Sequence, residues 1–249
     1  MFRGVARTRN RGCLLPVLLT ATIAPPPLPR LVALDPNQRW AQYRLALEYW
    51  MDQTRATRLV FCENSGYGVN YTPLIMRASS LSKQLEVISF NGNHEAHLKG
   101  RGYGEGEIIR YALHNSRLIA SASGFFKVTG RLVVQNFDLL EYLTRSRPVV
   151  MSERSAWRKG WVDTRFYKMD KAFYLRHLQD VHLNADRPDW ILGKAYAAAV
   201  GTLGLPPFPV AMRIHGVSGN GVPYDEAFWR YMAKSVLAGA GYYRVKTAE

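Results

Sequence analysis

The chain has 249 residues, with 33 Lys and Arg against 19 Asp and Glu, a formal net charge of +14. Hydrophobic residues at 47% and charged residues at 21% exclude a disordered or collagen-like chain. Two cysteines, Cys13 and Cys62, exclude a disulfide scaffold and a four-cysteine zinc module. So basic a chain favours anionic partners: nucleic acid, anionic lipid or phosphorylated small molecules.

Arg3, Arg7, Arg9 and Arg11 concentrate at the start, and without them the remainder is still strongly basic. Residues 1–15 read as a basic tail and 16–249 as a single domain. The apolar run after the arginines, with Ala21-Thr-Ile-Ala24 behind it, imitates a secretory signal. It is far shorter than the ~20 residues of a membrane span, and Pro16 interrupts it. It reads better as a buried first strand over 16–23, closed by Pro25, Pro26 and Pro27.

Residues 37–52 carry Trp40, Tyr43, Leu47 and Trp50 at helical spacing behind Asp35-Pro36, which predicts a helix. Strands are expected at 58–62 and 85–90, a helix at 104–116 and a fourth strand at 125–129. That order predicts an α/β fold with a mostly parallel sheet and helices on both faces. The second half is more broken. Helices are expected at 137–143, 169–178, 190–200 and 224–238, short strands at 149–151 and 166–168, and a glycine-rich loop at 216–221.

In parallel sheets ligands sit beyond the carboxyl ends of the strands. Thr20 and Thr22, Glu63 and Asn64, and Thr129 and Arg131 fall there. The densest motif is Gly100-Arg-Gly-Tyr-Gly-Glu-Gly-Glu107, directly before an expected helix. Glycines let backbone approach a ligand, and amide donors at a helix N-terminus bind anions. Arg101 adds a cation suited to phosphate. The other reading is a flexible loop whose Glu105 and Glu107 cap the helix. The spacing matches neither the Walker nor the dinucleotide fingerprint.

Lys127-Val-Thr-Gly-Arg131 places two cations and a hydroxyl at a strand end. A guanidinium fork and an ammonium point charge suit a diphosphate. The pairs His94/His97 and His177/His182 do not share a helix face cleanly, so no histidine metal site is expected. Val217-Ser218-Gly219 lacks the first glycine of a nucleophile elbow.

Several segments together resemble small bacterial glycosyltransferase-like proteins from surface-polysaccharide loci. They are Leu18-Leu-Thr-Ala-Thr-Ile23, Asp35-Pro-Asn-Gln-Arg39 with Gln42-Tyr43, Val60-Phe-Cys-Glu-Asn-Ser65, Leu85-Glu-Val-Ile-Ser-Phe90, Gly100 to Glu105, Lys127 to Arg131 and Asp163-Thr-Arg-Phe166. The wider resemblance is to the GT-A fold of nucleotide-diphosphosugar transferases. It implies a donor-binding half over about 16–136 and an acceptor half over about 137–249. The donor set it implies is Thr20, Thr22, Arg39, Glu63, Asn64, Arg101, Gly102, Tyr103, Gly104, Lys127, Thr129, Gly130, Arg131 and Arg165.

GT-A proteins carry an Asp-x-Asp metal motif where this chain has Lys127 to Arg131. The departure implies no metal and no other cofactor. Lys127, Arg131 and Arg101 would replace the metal in stabilising a leaving diphosphate. An inverting transfer needs a carboxylate base. Asp163 is the first choice, downstream of the donor segment and beside a cation, and Glu105 the second.

The resemblance implies a nucleotide-sugar donor and a capsular or lipopolysaccharide glycan, or its lipid-linked precursor, as acceptor. Phe228-Trp-Arg-Tyr231, Lys234 and Tyr242-Tyr-Arg244 suit peripheral contact with an anionic membrane, which places the protein in the cytoplasm at the inner membrane face. A nucleic-acid-binding protein is the rival class. The basic residues are dispersed and no helix-turn-helix, RRM or zinc-finger signature occurs, so no nucleic-acid partner is expected. A non-catalytic relative that only binds nucleotide or glycan is the third reading.

Overall fold

The computed structural model describes residues 15–27, 35–218, 221–225 and 227–247. The basic tail therefore lies almost wholly outside the described residues. The fold is α/β, built on a mostly parallel five-stranded sheet. Its strands are β1 (Val17–Ala21), β2 (Arg58–Glu63), β3 (Gln84–Ser89), β4 (Gly124–Thr129) and, later in the chain, β6 (Phe166–Asp170). Their order is β3-β2-β1-β4-β6. The first four run parallel and β6 runs against β4.

Helix α1 (Pro36–Asp52) follows β1, and Asp35 caps it by accepting from the Asn37 amide at 2.9 Å. Helix α2 (Thr72–Ser80) joins β2 to β3. Both pack on one face, where Tyr43, Leu47, Trp50 and Leu74 meet Val17, Leu19 and Phe61. Helix α3 (Ala96–Asn115) lies on the other face, where Ile108, Ile109 and Ala112 meet Leu18, Val60 and Cys62. The chain walks outward from β1 to β3 and then jumps back across β1 to β4. That reversal puts α3 on the opposite face and opens a crevice at the carboxyl ends of β1 and β4.

After a short helix α4 (Arg117–Ala120) and β4, the chain leaves the main sheet at Gly130. Strand β5 (Leu132–Val134) pairs with β7 (Ile214–Val217), which pairs with β8 (Pro223–Tyr224). Helices α5 (Phe137–Leu143), α6 (Lys171–His177), α7 (Leu192–Val200) and α8 (Phe228–Gly239) complete the structure. Strand β6 comes from the second half of the chain yet pairs within the main sheet.

Four expectations change. Residues 149–151 form no strand; Val150 makes a single bridge to Lys168, and the next amide, that of Met151, turns away to the Pro206 carbonyl at 3.1 Å. The helix expected from 169 starts at Lys171, because Asp170 ends β6 and caps α6 by accepting from the Phe173 amide at 2.8 Å. Gly216 lies in β7 rather than in a loop, against the Arg131 carbonyl, while residues 219–220 of that expected loop fall outside the described residues. The last helix begins at Phe228, since Tyr224 is taken up by β8.

Candidate functional site

The carboxyl ends of β1, β2 and β4 bring Thr20, Thr22, Asn64 and Thr129 to Arg131 together on one edge. The antiparallel β6 adds to it. Its amino end lies beside the end of β4, where the Thr129 amide donates to the Arg165 carbonyl at 2.9 Å. Asp163, Thr164 and Arg165 therefore reach the same edge from far along the chain. Helix α3 runs back across the sheet, so its N-terminal end also lies there.

The glycine motif does not form a phosphate-cradling loop. The kink is at Gly100, with φ 85° and ψ 177°, and residues 101–115 are helical. Gly102 turns away from the sheet edge, and a Cβ on it would fall 2.8 Å from the Trp190 ring. Tyr103 is buried against the His182 ring, donating from its hydroxyl to Glu107 at 3.1 Å beneath the Lys99 ammonium. Gly106 backs onto His182, whose Cβ would lie 2.2 Å from an added methyl. Gly104 and Glu105 face the strand ends.

Glu63 is also spent on structure. Its Oε1 accepts from the amides of Ile23 at 3.0 Å and Ser65 at 2.7 Å and from the Ser65 hydroxyl. Its Oε2 accepts from the Ser89 hydroxyl at 3.2 Å. This buried carboxylate ties the ends of β1, β2 and β3 together. Thr20 is likewise internal, donating to the Val128 carbonyl at 3.4 Å. Thr22 faces its neighbours, donating to Asn64 Oδ1 at 2.7 Å.

Arg39 holds the Thr22 carbonyl through Nε at 2.9 Å and Nη2 at 2.6 Å. Tyr43 donates to the same carbonyl and accepts from the Thr22 amide. Beyond it lies Arg131, only 5% exposed. Arg131 donates to Gln42 Oε1 at 2.7 Å and stacks over the Tyr43 ring. Its Nε is buried with no hydrogen-bond partner, and no carboxylate forms an ion pair with it among the described residues. Burial pushes its guanidinium below the usual value; nearby Arg39 and Arg101 push the same way, and Tyr43 offsets part of this. Burying an unpaired cation costs several kcal/mol. Gly130 sets this position: its amide donates to the Thr20 carbonyl at 2.8 Å, and a Cβ there would meet that oxygen at 2.7 Å.

Lys127 is fully buried at the centre of the edge. Its ammonium pairs with Glu105 and donates to the Thr164 carbonyl at 2.6 Å and the Thr129 hydroxyl at 3.3 Å. The Thr164 hydroxyl donates to Glu105 Oε2 at 3.5 Å. Glu105 keeps 23% of its side chain exposed.

Asp163 is different, with 1% exposure. Arg165 forks onto it, Nε to Oδ1 at 2.8 Å and Nη2 to Oδ2 at 2.5 Å, and the Arg165 amide adds a third bond at 3.1 Å. Arg154 stands 3.9 Å away. Burial raises its carboxyl pKa, but the charge and hydrogen bonds of Arg165, with Arg154 behind them, outweigh this and hold it below the usual carboxylate value. A carboxylate so enclosed orients Arg165, and it lines a small cavity together with Arg154, Arg165 and Lys234. Arg165 in turn lies over the Tyr224 ring at 4.9 Å and lines a cavity of about 190 Å³ with Ile214, Arg230 and Lys234.

Sequence reading missed Gln42, Thr164 and Asn93 as members of this edge. Gln42 and Thr164 fall within segments that carry the resemblance but take no role there, and Asn93 is signalled only by its polar loop after β3. Among the described residues no three His, Cys, Asp or Glu side chains gather as a metal site.

No family model matches the chain, and no curated protein does. Among solved structures it aligns with the apo form of WbbM, a bifunctional glycosyltransferase, at 12% identity and a TM-score of 0.46. The alignment covers 100% of this chain and 48% of that one, so the chain spans about half of that protein's length. A likeness so distant carries no weight about activity, which has to be read from the residues.

Proposed function

We propose that this protein is a glycosyltransferase that moves a sugar from a nucleotide-sugar donor onto a bacterial surface glycan or its lipid-linked precursor. The observation that carries the reading is Arg131. A buried guanidinium without a carboxylate, with an unpartnered Nε and two further arginines near it, is matched by a diphosphate. It sits at the topological switch point, where ligands of such sheets bind.

In the reaction the acceptor hydroxyl attacks the anomeric carbon and the bond from that carbon to the diphosphate breaks. The electron pair leaves with the nucleoside diphosphate. Arg131 and Arg101 stabilise the charge that develops there, and Lys127 adds to the positive field from within. For an inverting transfer, Glu105 takes the acceptor proton. We place it ahead of Asp163 in that role because its side chain is 23% exposed, against 2% for Asp163, which Arg165 holds in a fork. Asp163 positions Arg165 beside the cavity under α8, which suits the acceptor side. Since two cations stand at the end of β4, the transfer proceeds without a metal.

Among the described residues no helix is long and apolar enough to cross a membrane. Trp229, Met232 and Val236 are exposed on α8 at helical spacing, with Arg230 and Lys234 alongside. This stripe supports peripheral seating on an anionic bilayer, tested by sedimentation with vesicles with and without anionic lipid. The donor reading is tested by thermal-shift screening against UDP, GDP, CDP, CMP and dTDP, followed by assay of sugar release. Stabilisation by none of them, together with salt-sensitive RNA binding, contradicts it.

A further inference from the structure

Helix α8 has its amphipathic faces reversed. A helix on a protein surface turns its apolar stripe toward the core. Here Trp229, Met232 and Val236 are exposed, and among the described residues of the helix Ala238 alone is buried. Arg230 and Lys234, one turn apart, line the cavity beneath the helix instead. The Ala211 amide donates to the Ser235 hydroxyl at 3.2 Å, and Arg213 lies over the Tyr231 ring. These contacts hold α8 over that space without filling it. A bilayer against the outer stripe accounts for the exposed apolar residues. It does not account for cations turned under the helix.

The cavity measures about 190 Å³, room for roughly six waters at ~30 Å³ each, which is the scale of one sugar ring. Arg165, Ile214, Tyr224 and Asp225 form its other walls. The fork onto Asp163 takes Nε and Nη2 of Arg165 and cancels its charge. The surplus positive charge therefore comes from Arg230 and Lys234, against one carboxylate, Asp225. A smaller cavity of about 50 Å³ adjoins this one, sharing Arg165 and Lys234 and adding Arg154. The residue before Arg165 is Thr164, whose hydroxyl donates to Glu105 Oε2 at 3.5 Å. One residue thus separates the cavity wall from the proposed base.

We propose that this cavity holds an acidic sugar of the acceptor, a glycosyl unit that carries a carboxylate or a phosphate. The proposal rests on the transferase reading above and names the acceptor class which that reading leaves open. Arg230 and Lys234 hold the acid group through charge-assisted hydrogen bonds. Asp225 decides between a bare anion and an acidic sugar. A carboxylate repels phosphate alone, but it accepts hydrogen bonds from sugar hydroxyls. A neutral sugar would use Asp225 and make no use of the two cations. A unit with an acid group at one end and hydroxyls at the other uses both.

The test measures affinities for methyl glucuronide, glucosyl phosphate, methyl glucoside and inorganic phosphate by ligand-observed NMR at fixed ionic strength. It compares the parent with the double variant Arg230→Gln, Lys234→Gln. In the parent, one or both acidic sugars should bind ~10-fold or more tightly than methyl glucoside and than inorganic phosphate. The double variant should bring them to the level of methyl glucoside, melt like the parent and keep the parent's affinity for a nucleoside diphosphate. Equal binding of acidic and neutral sugars overturns the proposal, and so does binding of neither. Inorganic phosphate held as tightly as the acidic sugars makes the cavity a plain anion site and overturns it too. Unchanged affinity in the double variant overturns it, as does a parallel loss of nucleoside diphosphate, which would assign these cations to the donor. A parent that binds acidic sugars yet no nucleotide supports the cavity's assignment and contradicts the donor reading.

Discussion

Two parts of the sheet edge bury charge in opposite ways. At the start of β6, Asp163 and Arg165 are mutually saturated, with three hydrogen bonds between them. At the end of β4, Arg131 is as deeply buried yet keeps an unpartnered Nε and repulsive arginine neighbours. A saturated pair is an internal strut. A cation buried without its counterion is held at a cost that a bound anion removes. The contrast separates the part of the edge that shapes the site from the part that we propose binds the diphosphate.

Asp163→Asn should have the largest effect on stability. Breaking a buried pair costs about 3–5 kcal/mol, because Arg165 is left uncompensated. Thermal melts at pH 7 should show it. Since the folded-state pKa of Asp163 lies below its unfolded value, its stabilisation is present above that unfolded value and is lost as pH falls through the folded one. The Asn variant should lack that part of the acid response. A variant as stable as the parent would remove the strut from the comparison.

Glu105→Gln should lower turnover by ~100-fold or more with donor affinity nearly kept. Gln retains an oxygen for Lys127 but leaves that buried ammonium without its counter-charge, so the melt should fall as well, and turnover is compared at a temperature where both proteins are folded. Normal turnover would end the role of Glu105 as base.

His182 gives a pH effect unconnected with binding. It is fully buried, both ring nitrogens lack partners, and burial, with Arg110 adding to it, lowers its pKa from 6.5 to about 4. The unfolded chain takes up the proton first, so stability should fall as pH drops from 6.5 toward 4, by at most about 3 kcal/mol. His182→Asn should flatten the melting temperature over that window. A parent whose melting temperature is level there would refute the assignment. The smallest expected effect is that of EDTA: transfer should continue, because cations occupy the end of β4. Loss restored by manganese would show that a metal acts there after all.

The parallel strands were legible because strands buried on both faces read as continuous apolar runs, as in residues 17–21, 58–63 and 124–129. Their polar ends were legible for the same reason, since an apolar run stops where the sheet does. Glycines two apart were not legible. On a helix they point to different sides, and only the positions of Trp190 and His182 across the fold show that Gly102 and Gly106 are dictated by packing. Asp163 drew attention through Arg165 beside it, yet that same arginine consumes it. The isolation of Arg131 depends on which carboxylates lie across the fold, and no local pattern records that.

The most direct test of the central claim compares the parent with Arg131→Met in calorimetric titration with a nucleoside diphosphate. Methionine keeps an unbranched apolar stem and removes the charge, so the free variant should melt at or above the parent temperature. Its affinity should fall by one to two decades, the loss of a charge-assisted hydrogen bond worth about 1.5–3 kcal/mol. Parent protein at ~100 times the dissociation constant should gain about 2.7 kcal/mol of stability, and the variant should lose most of that gain at the same concentration. Equal affinity in the two proteins would contradict the account, because the buried guanidinium would then not be holding the diphosphate.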